Sequence, residues 1–542
     1  MSRFRTLLFT LMVFFAQAVW AAEGEAGAEA AMAAGQQIYL KGQLPSGEAV
    51  SAIVQGDIRI SGQQAVCATC HRRSGMGANE GSQVVPALAG EILFQPLRLP
   101  TSKPPLAPVQ RPAYTLESLK RAIRHGVGAD GRTLDPLMPR FLSLDDDALD
   151  SLIAYLRSLS VAPSPGVDDH DIHFATIIAG DVTLAERQGL IDVLRAFIEL
   201  KNTETRHEGR RAAHAPWHKK WLYEPYRKWR LHVWELSGKP EDWPRQLARY
   251  YQEQPVFAVL SGVAKGDWSS IHHFCEAQRL PCLFPTTELP VIDEVGFYSI
   301  YLSQGPFLEG RIVGKHILEQ RGQDRVVQIV RPDDARAVRA ARGLEQVLGK
   351  ERLQTLYVPQ QAEGWQQLMS EIGPGPLALW LSEEDLQAAG PVLASWPGKG
   401  AVYLSSSLFG LGIESIPAPL RDRVLLVHAR ERPQYMARRL LRATAWFRAR
   451  RIDRPEAREV QANAFLALKV AGEALTFIRG YFFRDYLIER IEHMVDSLTY
   501  TSVYPRFSLA PDQRFAAKGG YLLKLTAAPR PVWTAVTEWT VP

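Results

Sequence analysis

The sequence predicts two structural classes in one chain: a small all-α domain over residues 34–160, then a two-lobed, doubly wound α/β domain over residues 170–528. Three observations predict it. Two early stretches, YTLESLKRAIRHG and LSLDDDALDSLIAYLRSL, carry helical periodicity. Beyond residue 170, apolar runs rich in branched residues (IHFATII, VFAVLSG, RVVQIV, PLALWL, AVYLSS, RVLLVH) are separated by stretches of helical character, the pattern of parallel strands with crossover helices. Between the two regions VAPSPGVDD, from Val161 to Asp169, interrupts the periodicity with Pro and Gly, so residues 161–169 read as a linker. The strand and helix units exceed one sheet's usual complement, which calls for two lobes. Residues 529–542 are expected as a C-terminal tail.

The first element is an export signal. Arg3 and Arg5 give a charged start, LLFTLMVFF from Leu7 to Phe15 a short apolar core, and AQAVWAA small residues for cleavage after Ala18 or Ala21. Residues 1–21 therefore read as a signal peptide, and the protein is expected in the periplasm. No later run reaches the roughly 18 consecutive apolar residues of a spanning helix, so no membrane span is expected in the mature chain. The net charge of +5 falls to about +3 without the two signal arginines, too weak a balance to indicate nucleic acid.

CATCH, residues Cys67 to His71, is the most specific motif. Two thiols spaced by two residues can each add across a haem vinyl group while the adjacent imidazole ligates iron, so the run reads as a covalent attachment site for one haem c. A zinc half-site would need a second ligand pair at matching spacing. The remaining cysteines, Cys275 and Cys282, have six residues between them. In an oxidising compartment they form either a disulfide or two buried free thiols, which spacing alone does not decide.

A second axial ligand is expected downstream. LDPLMPRF sets Met138 beside Pro139 in a non-periodic stretch, suited to a loop that lays a thioether on the far face of the ring. Met76 follows His71 too closely to reach that face. His125, at a helix end before Gly126, is the rival, although a histidine there is an ordinary C-terminal feature. The next helix is expected to start at Ser143 as cap, with Asp145 and Asp146 in its first turn and Leu149, Leu152, Ile153 and Leu156 on one face.

CATCHRRSGMG, VPALAG, YTLESLKRAIRHG and LMPRFLSLDDDALDSLIAYLRSL resemble, in order and spacing, the class I cytochrome c domain. The resemblance implies that Cys67 and Cys70 carry the haem and that His71 and Met138 are the axial iron ligands. It also implies that the carbonyl of Pro86 fixes the His71 ring. A Met/His pair raises the reduction potential, as suits an electron carrier taking electrons from a periplasmic partner such as a dehydrogenase. The proline-rich stretch from Pro96 to Pro112 departs from the shortest family members and reads as a stiff surface excursion. Peroxidases on this fold generally use two haems and this chain has one motif, so an enzyme is the least expected class.

From Asp171 to Leu525 the chain resembles the type I periplasmic binding proteins, the ABC transporter-linked receptors for branched-chain amino acids and related solutes. PVFAVLSGVAKGDWSSIHHFCEAQRLPCLFPTTELP and GFYSIYLSQGPFLEGRIVGKHI carry the resemblance, and YPRFSLAPDQRFAAKGGYLLKL matches a terminal hairpin of transporter-associated members. It implies a small-molecule ligand, suited to a carboxylate, between the lobes at the carboxyl ends of strands. Candidate contacts are Ser261, Asp267, Trp268 and Ser269, then Thr286 and Thr287, then Tyr301, Ser303 and Gln304. A Ser or Thr at a strand end is also an ordinary helix cap. Lys265 and Trp268 are bulky for the family's amino-acid recognition loop. The basic and aromatic stretch from Arg206 to Arg230 reads either as a solvated loop or as a docking patch for an acidic protein or membrane headgroups. The expected function is electron transfer, with the larger domain docking a partner or sensing a metabolite; the alternative is a solute receptor with a redox-regulatory haem.

Overall fold

The computed structural model describes residues 27–80, 83–98, 110–205, 227–294, 296–320, 325–359, 364–478, 480–497, 501–527 and 530–542. The signal peptide at 1–21, most of the proline-rich excursion and nearly all of the basic and aromatic stretch lie outside them. The chain divides into two compact units, Met1–Pro163 and Ser164–Pro542.

In the first unit the helix Leu116–His125 opens on Thr115, whose side chain accepts from Ser118 N in a capping box, and closes on Gly126 at φ 64°. The helix Asp146–Ser158 is capped by Asp145, whose Oδ1 accepts from Ala148 N at 2.8 Å. The expected cap, Ser143, instead donates to Ser51 O at 2.7 Å: the carboxylate three residues before Ala148 is the better placed acceptor. Leu149, Leu152, Ile153 and Leu156 are all buried and pack with Tyr39, Leu119, Ile123 and Phe141. Each such side chain contributes about 1.5–3 kcal/mol on burial.

The unit is not purely helical. Three short antiparallel ladders join β1 (Ser51–Val54) to β2 (Ile58–Ser61), β3 (Ala78–Glu80) to β4 (Gln83–Val85) and β5 (Leu97–Arg98) to β6 (Gln110–Arg111). Gln55 and Gly56, at φ 53° and 99°, turn the first of these.

The second unit contains two seven-stranded sheets. In the first, β7 (Asp171–Ala179) pairs along its full length with β8 (Lys228–Leu236). On its other side it meets β9 (Ala258–Leu260) and then β10 (Val263–Asp267), the two halves of a run broken at Ser261 and Gly262, both at positive φ. β11 (Cys282–Leu283) and β12 (Thr286–Leu289) follow in the same way, broken at Phe284 with φ 56°, and β13 (Ser299–Ile300) closes the sheet. Every pairing is parallel.

The second sheet repeats this order. β15 (Leu353–Tyr357), β14 (Val326–Val330), β16 (Leu377–Trp380), β17 (Val402–Ser405) and β18 (Val424–His428) are parallel neighbours. Two antiparallel strands extend it, β19 (Tyr521–Leu525) and β20 (Trp533–Ala535). The residues expected as a tail thus supply the edge strand β20, and Trp533 is buried in the core of this lobe. The helices Leu441–Ala449, Arg458–Ile478 and Arg484–Met494 return to the first lobe and bury Phe447, Leu466, Val470 and Leu487 there.

The expected linker is partly anchored to this unit. Ser164 N donates to Phe482 O at 2.9 Å, and the buried Arg484 donates to Pro165 O at 3.1 Å and to Phe257 O at 3.1 Å. No helix among the described residues is long and apolar enough to cross a membrane.

Candidate functional sites

Cys67–His71 forms a helix. Spacing of three puts Cys67 and Cys70 on one side of it as free thiols, the first partly buried and the second exposed. Burial pushes the Cys67 thiol up to about 12. His71 is buried, and its Nδ1 lies 2.9 Å from Pro86 O. A carbonyl oxygen only accepts, so Nδ1 carries the proton and donates. Burial holds the imidazole below its ordinary pKa, and in the neutral ring the lone pair is then on Nε2.

Gly77 explains how Pro86 reaches the ring. It sits at φ +72°, its N donates to His71 O at 3.0 Å, and a Cβ there would meet Val85 O at 2.2 Å. Met138 packs partly buried against the unit's core. Its N donates to Asp135 O at 2.9 Å and its O accepts from Arg140 Nη1 at 2.9 Å, so the loop backbone is pinned on both sides. His125 is exposed at its helix end. Two free thiols beside a buried imidazole with a committed tautomer fit a covalently attached haem.

Residues 61–160 match the family model for cytochrome c. The cytochrome c domain therefore contains the CATCH helix, Pro86 and Met138.

In the second unit an interlobe cavity of about 140 Å³ opens beside the first residues of β10 and β12, just past the ends of β9 and β11. Of the candidate contacts singled out in the sequence, Thr286, Thr287, Tyr301 and Ser303 line it. Ser261, Asp267, Trp268, Ser269 and Gln304 do not. Ser261 is buried at the strand break, and Trp268 is buried in the core of the first lobe. Asp267 Oδ1 accepts from Ser269 N at 3.2 Å and Ser269 Oγ at 2.8 Å, which makes this pair a helix-start turn. Gln304 faces a different cavity.

The cleft's charges were not legible beforehand, apart from Lys265. Its Nζ lies 3.0 Å from Glu186 and 3.4 Å from Glu288. Burial opposes that charge, but the two carboxylates keep the Lys265 pKa above its ordinary value. Arg336 pairs with Asp334 at 2.9 Å and Arg430 with Glu459 at 2.8 Å. Asn463 Nδ2 donates to Thr286 Oγ1 at 3.0 Å, while its buried Oδ1 has no partner among the described residues. Behind Ser407, the fully buried Glu309 side chain is hydrogen-bonded to Ser405, Ser406 and Ser407, and His428 Nδ1 lies 3.0 Å from Ser406 Oγ.

Cys275 and Cys282 are joined as a disulfide with Cα atoms 6.3 Å apart, tying the helix Ser269–Ala277 to β11.

Several solved structures resemble the chain. A putative branched-chain amino acid ABC transporter protein from Rhodospirillum rubrum is 13% identical with a TM-score of 0.46, over 69% of this chain and 99% of its own. A fatty acid ABC transporter substrate-binding protein from Thermomonospora curvata is 13% identical with a TM-score of 0.46, over 70% and 95%. An ABC transporter substrate-binding protein from Desulfitobacterium hafniense is 12% identical with a TM-score of 0.48, over 67% and 100%. No curated protein matches the chain.

Proposed function

We propose that the protein is a periplasmic electron carrier in which the cytochrome c domain holds one covalent haem, with Cys67 and Cys70 as attachment points and His71 and Met138 as axial ligands. The observation that carries this reading is the 2.9 Å bond from His71 Nδ1 to Pro86 O, which leaves the lone pair on Nε2 for iron. When bound, the haem supplies a one-electron couple whose potential is raised by thioether ligation. The chain's own residues hold and shield it. Pro86 and Gly77 orient the imidazole, and Asp135 and Arg140 pin the Met138 loop. Leu137 is 47% exposed and Val84 72% exposed, beside Met138 and near Pro86, so they offer apolar surface to a redox partner such as a dehydrogenase.

The second unit serves as a module for partner docking or metabolite sensing. Its two sheets share one strand order, with a cleft at the strand ends. A solute-receptor reading is favoured by one observation, the partnerless Asn463 Oδ1 in that cleft.

The test is expression with a haem-attachment system, followed by intact mass and reductive titration. One haem per chain and a single reversible one-electron step are expected, with covalent haem lost in the Cys67→Ser, Cys70→Ser double variant. A chain that stays haem-free, or keeps covalent haem in that variant, contradicts the reading.

A further inference from the structure

The cavity that Gln304 faces is separate from the cleft and differently charged. It measures about 280 Å³, and Tyr301 borders both. In the cleft, Lys265, Arg336 and Arg430 all have carboxylate partners. In the second cavity neither Arg311 nor Lys518 has an Asp or Glu partner among the described residues. Arg311 Nη1 donates to Gln304 Oε1 at 3.2 Å and Nη2 to Pro542 O at 3.4 Å. Lys518 Nζ donates to Ser508 Oγ at 3.0 Å and Gln513 Oε1 at 2.5 Å. Burial lowers the pKa of both cations.

Two buried donors in the same wall are also idle. Arg311 Nε and Ser299 Oγ have no hydrogen-bond partner among the described residues, and Ser299 is only 2% exposed. A buried donor without a partner costs free energy unless something else fills the role. The other charges do not fill it. Arg514 is committed to Glu492, while Glu294 and Asp512 are exposed and Glu294 is engaged by His273 at 3.0 Å. Val291, Phe515 and Ala517 add apolar wall.

We infer that this cavity binds a small organic carboxylate, which accepts from Arg311 Nε and the Ser299 hydroxyl while Lys518 supplies a second positive charge. The apolar residues favour an acid with a short hydrocarbon body over inorganic phosphate, and the volume suits a metabolite of a few carbons. The site is independent of the electron-carrier reading and distinct from any ligand held at Asn463.

Calorimetry of the full chain with acetate, butyrate and benzoate, with inorganic phosphate as a charge-only control, tests it. Carboxylate binding is expected in the native chain, weakened by about tenfold or more in Arg311→Gln and in Lys518→Met, and kept in the cleft variant Asn463→Ala. Thermal melting checks folding, and Lys518→Met carries the test if Arg311→Gln does not fold. Four results would each overturn the inference: no carboxylate binding at millimolar concentration, binding that survives both cavity variants, binding lost only in Asn463→Ala, or phosphate binding as tightly as the best carboxylate.

Discussion

His71 Nδ1 donates to the carbonyl oxygen of Pro86 at 2.9 Å, across fifteen residues of chain. The bond commits the ring's proton to one nitrogen and leaves the other for a metal. Its geometry depends on how closely Gly77 approaches Val85 and Pro86.

Gly77→Ala tests that approach. A Cβ would meet Val85 O at 2.2 Å and Pro86 O at 3.0 Å, at a φ of +72°. The substitution is expected to cost about 1–3 kcal/mol in chemical denaturation and to shift the haem's reduction potential by displacing the Pro86 carbonyl. Unchanged stability and potential would mean that the Gly77 backbone does not position Pro86.

Arg484 is a second structural centre. Its guanidinium donates to Phe257 O, Gln278 O, Pro165 O and Val256 O. Arg484→Met leaves the buried carbonyls of Val256 and Phe257 short of a donor and is expected to destabilise the second unit by about 2–4 kcal/mol. Urea unfolding followed by tryptophan fluorescence measures it.

His428 makes stability depend on pH. Burial, with Arg430 nearby, lowers its pKa to about 4, and its ring meets Ser406 Oγ and Glu431 O. The folded protein therefore resists a proton that the unfolded chain accepts near 6.5. This contribution is fully present above about pH 6.5 and is lost as the pH falls towards 4, by up to about 3 kcal/mol. Burial raises the Glu309 pKa, which works in the opposite direction because a neutral carboxyl is favoured in the fold. Denaturant titrations at stepped pH are expected to show a decline over this window that is smaller in His428→Gln.

The disulfide between Cys275 and Cys282 closes a short loop. Cys275→Ala with Cys282→Ala is expected to lower stability by about 2 kcal/mol, and thiol titration of the unfolded native chain should find these two sulfurs only after reduction.

Legibility followed locality. CATCH places its chemistry within one turn of helix, so its residue types and spacing carry the reading unaided. The strands were equally plain where branched residues ran together, as in IHFATII and RVLLVH, which became β7 and β18. The breaks at Ser261 and Phe284 were not, because positive φ at a non-glycine residue is imposed by the surrounding sheet. Asp145 took the cap expected of Ser143, a two-residue shift within ordinary boundary error. The cleft was the least legible. Glu186, Lys265, Arg336, Arg430 and Glu459 come from segments far apart in sequence, and only the chain's repeated crossing between lobes brings them together.

The ligation itself is tested most directly by the sulfur-to-iron charge-transfer absorption of the oxidised protein. The native chain is expected to show this band, and Met138→Ala to abolish it while keeping the covalent haem and lowering the reduction potential. Persistence of the band in Met138→Ala would contradict Met138 as the distal ligand.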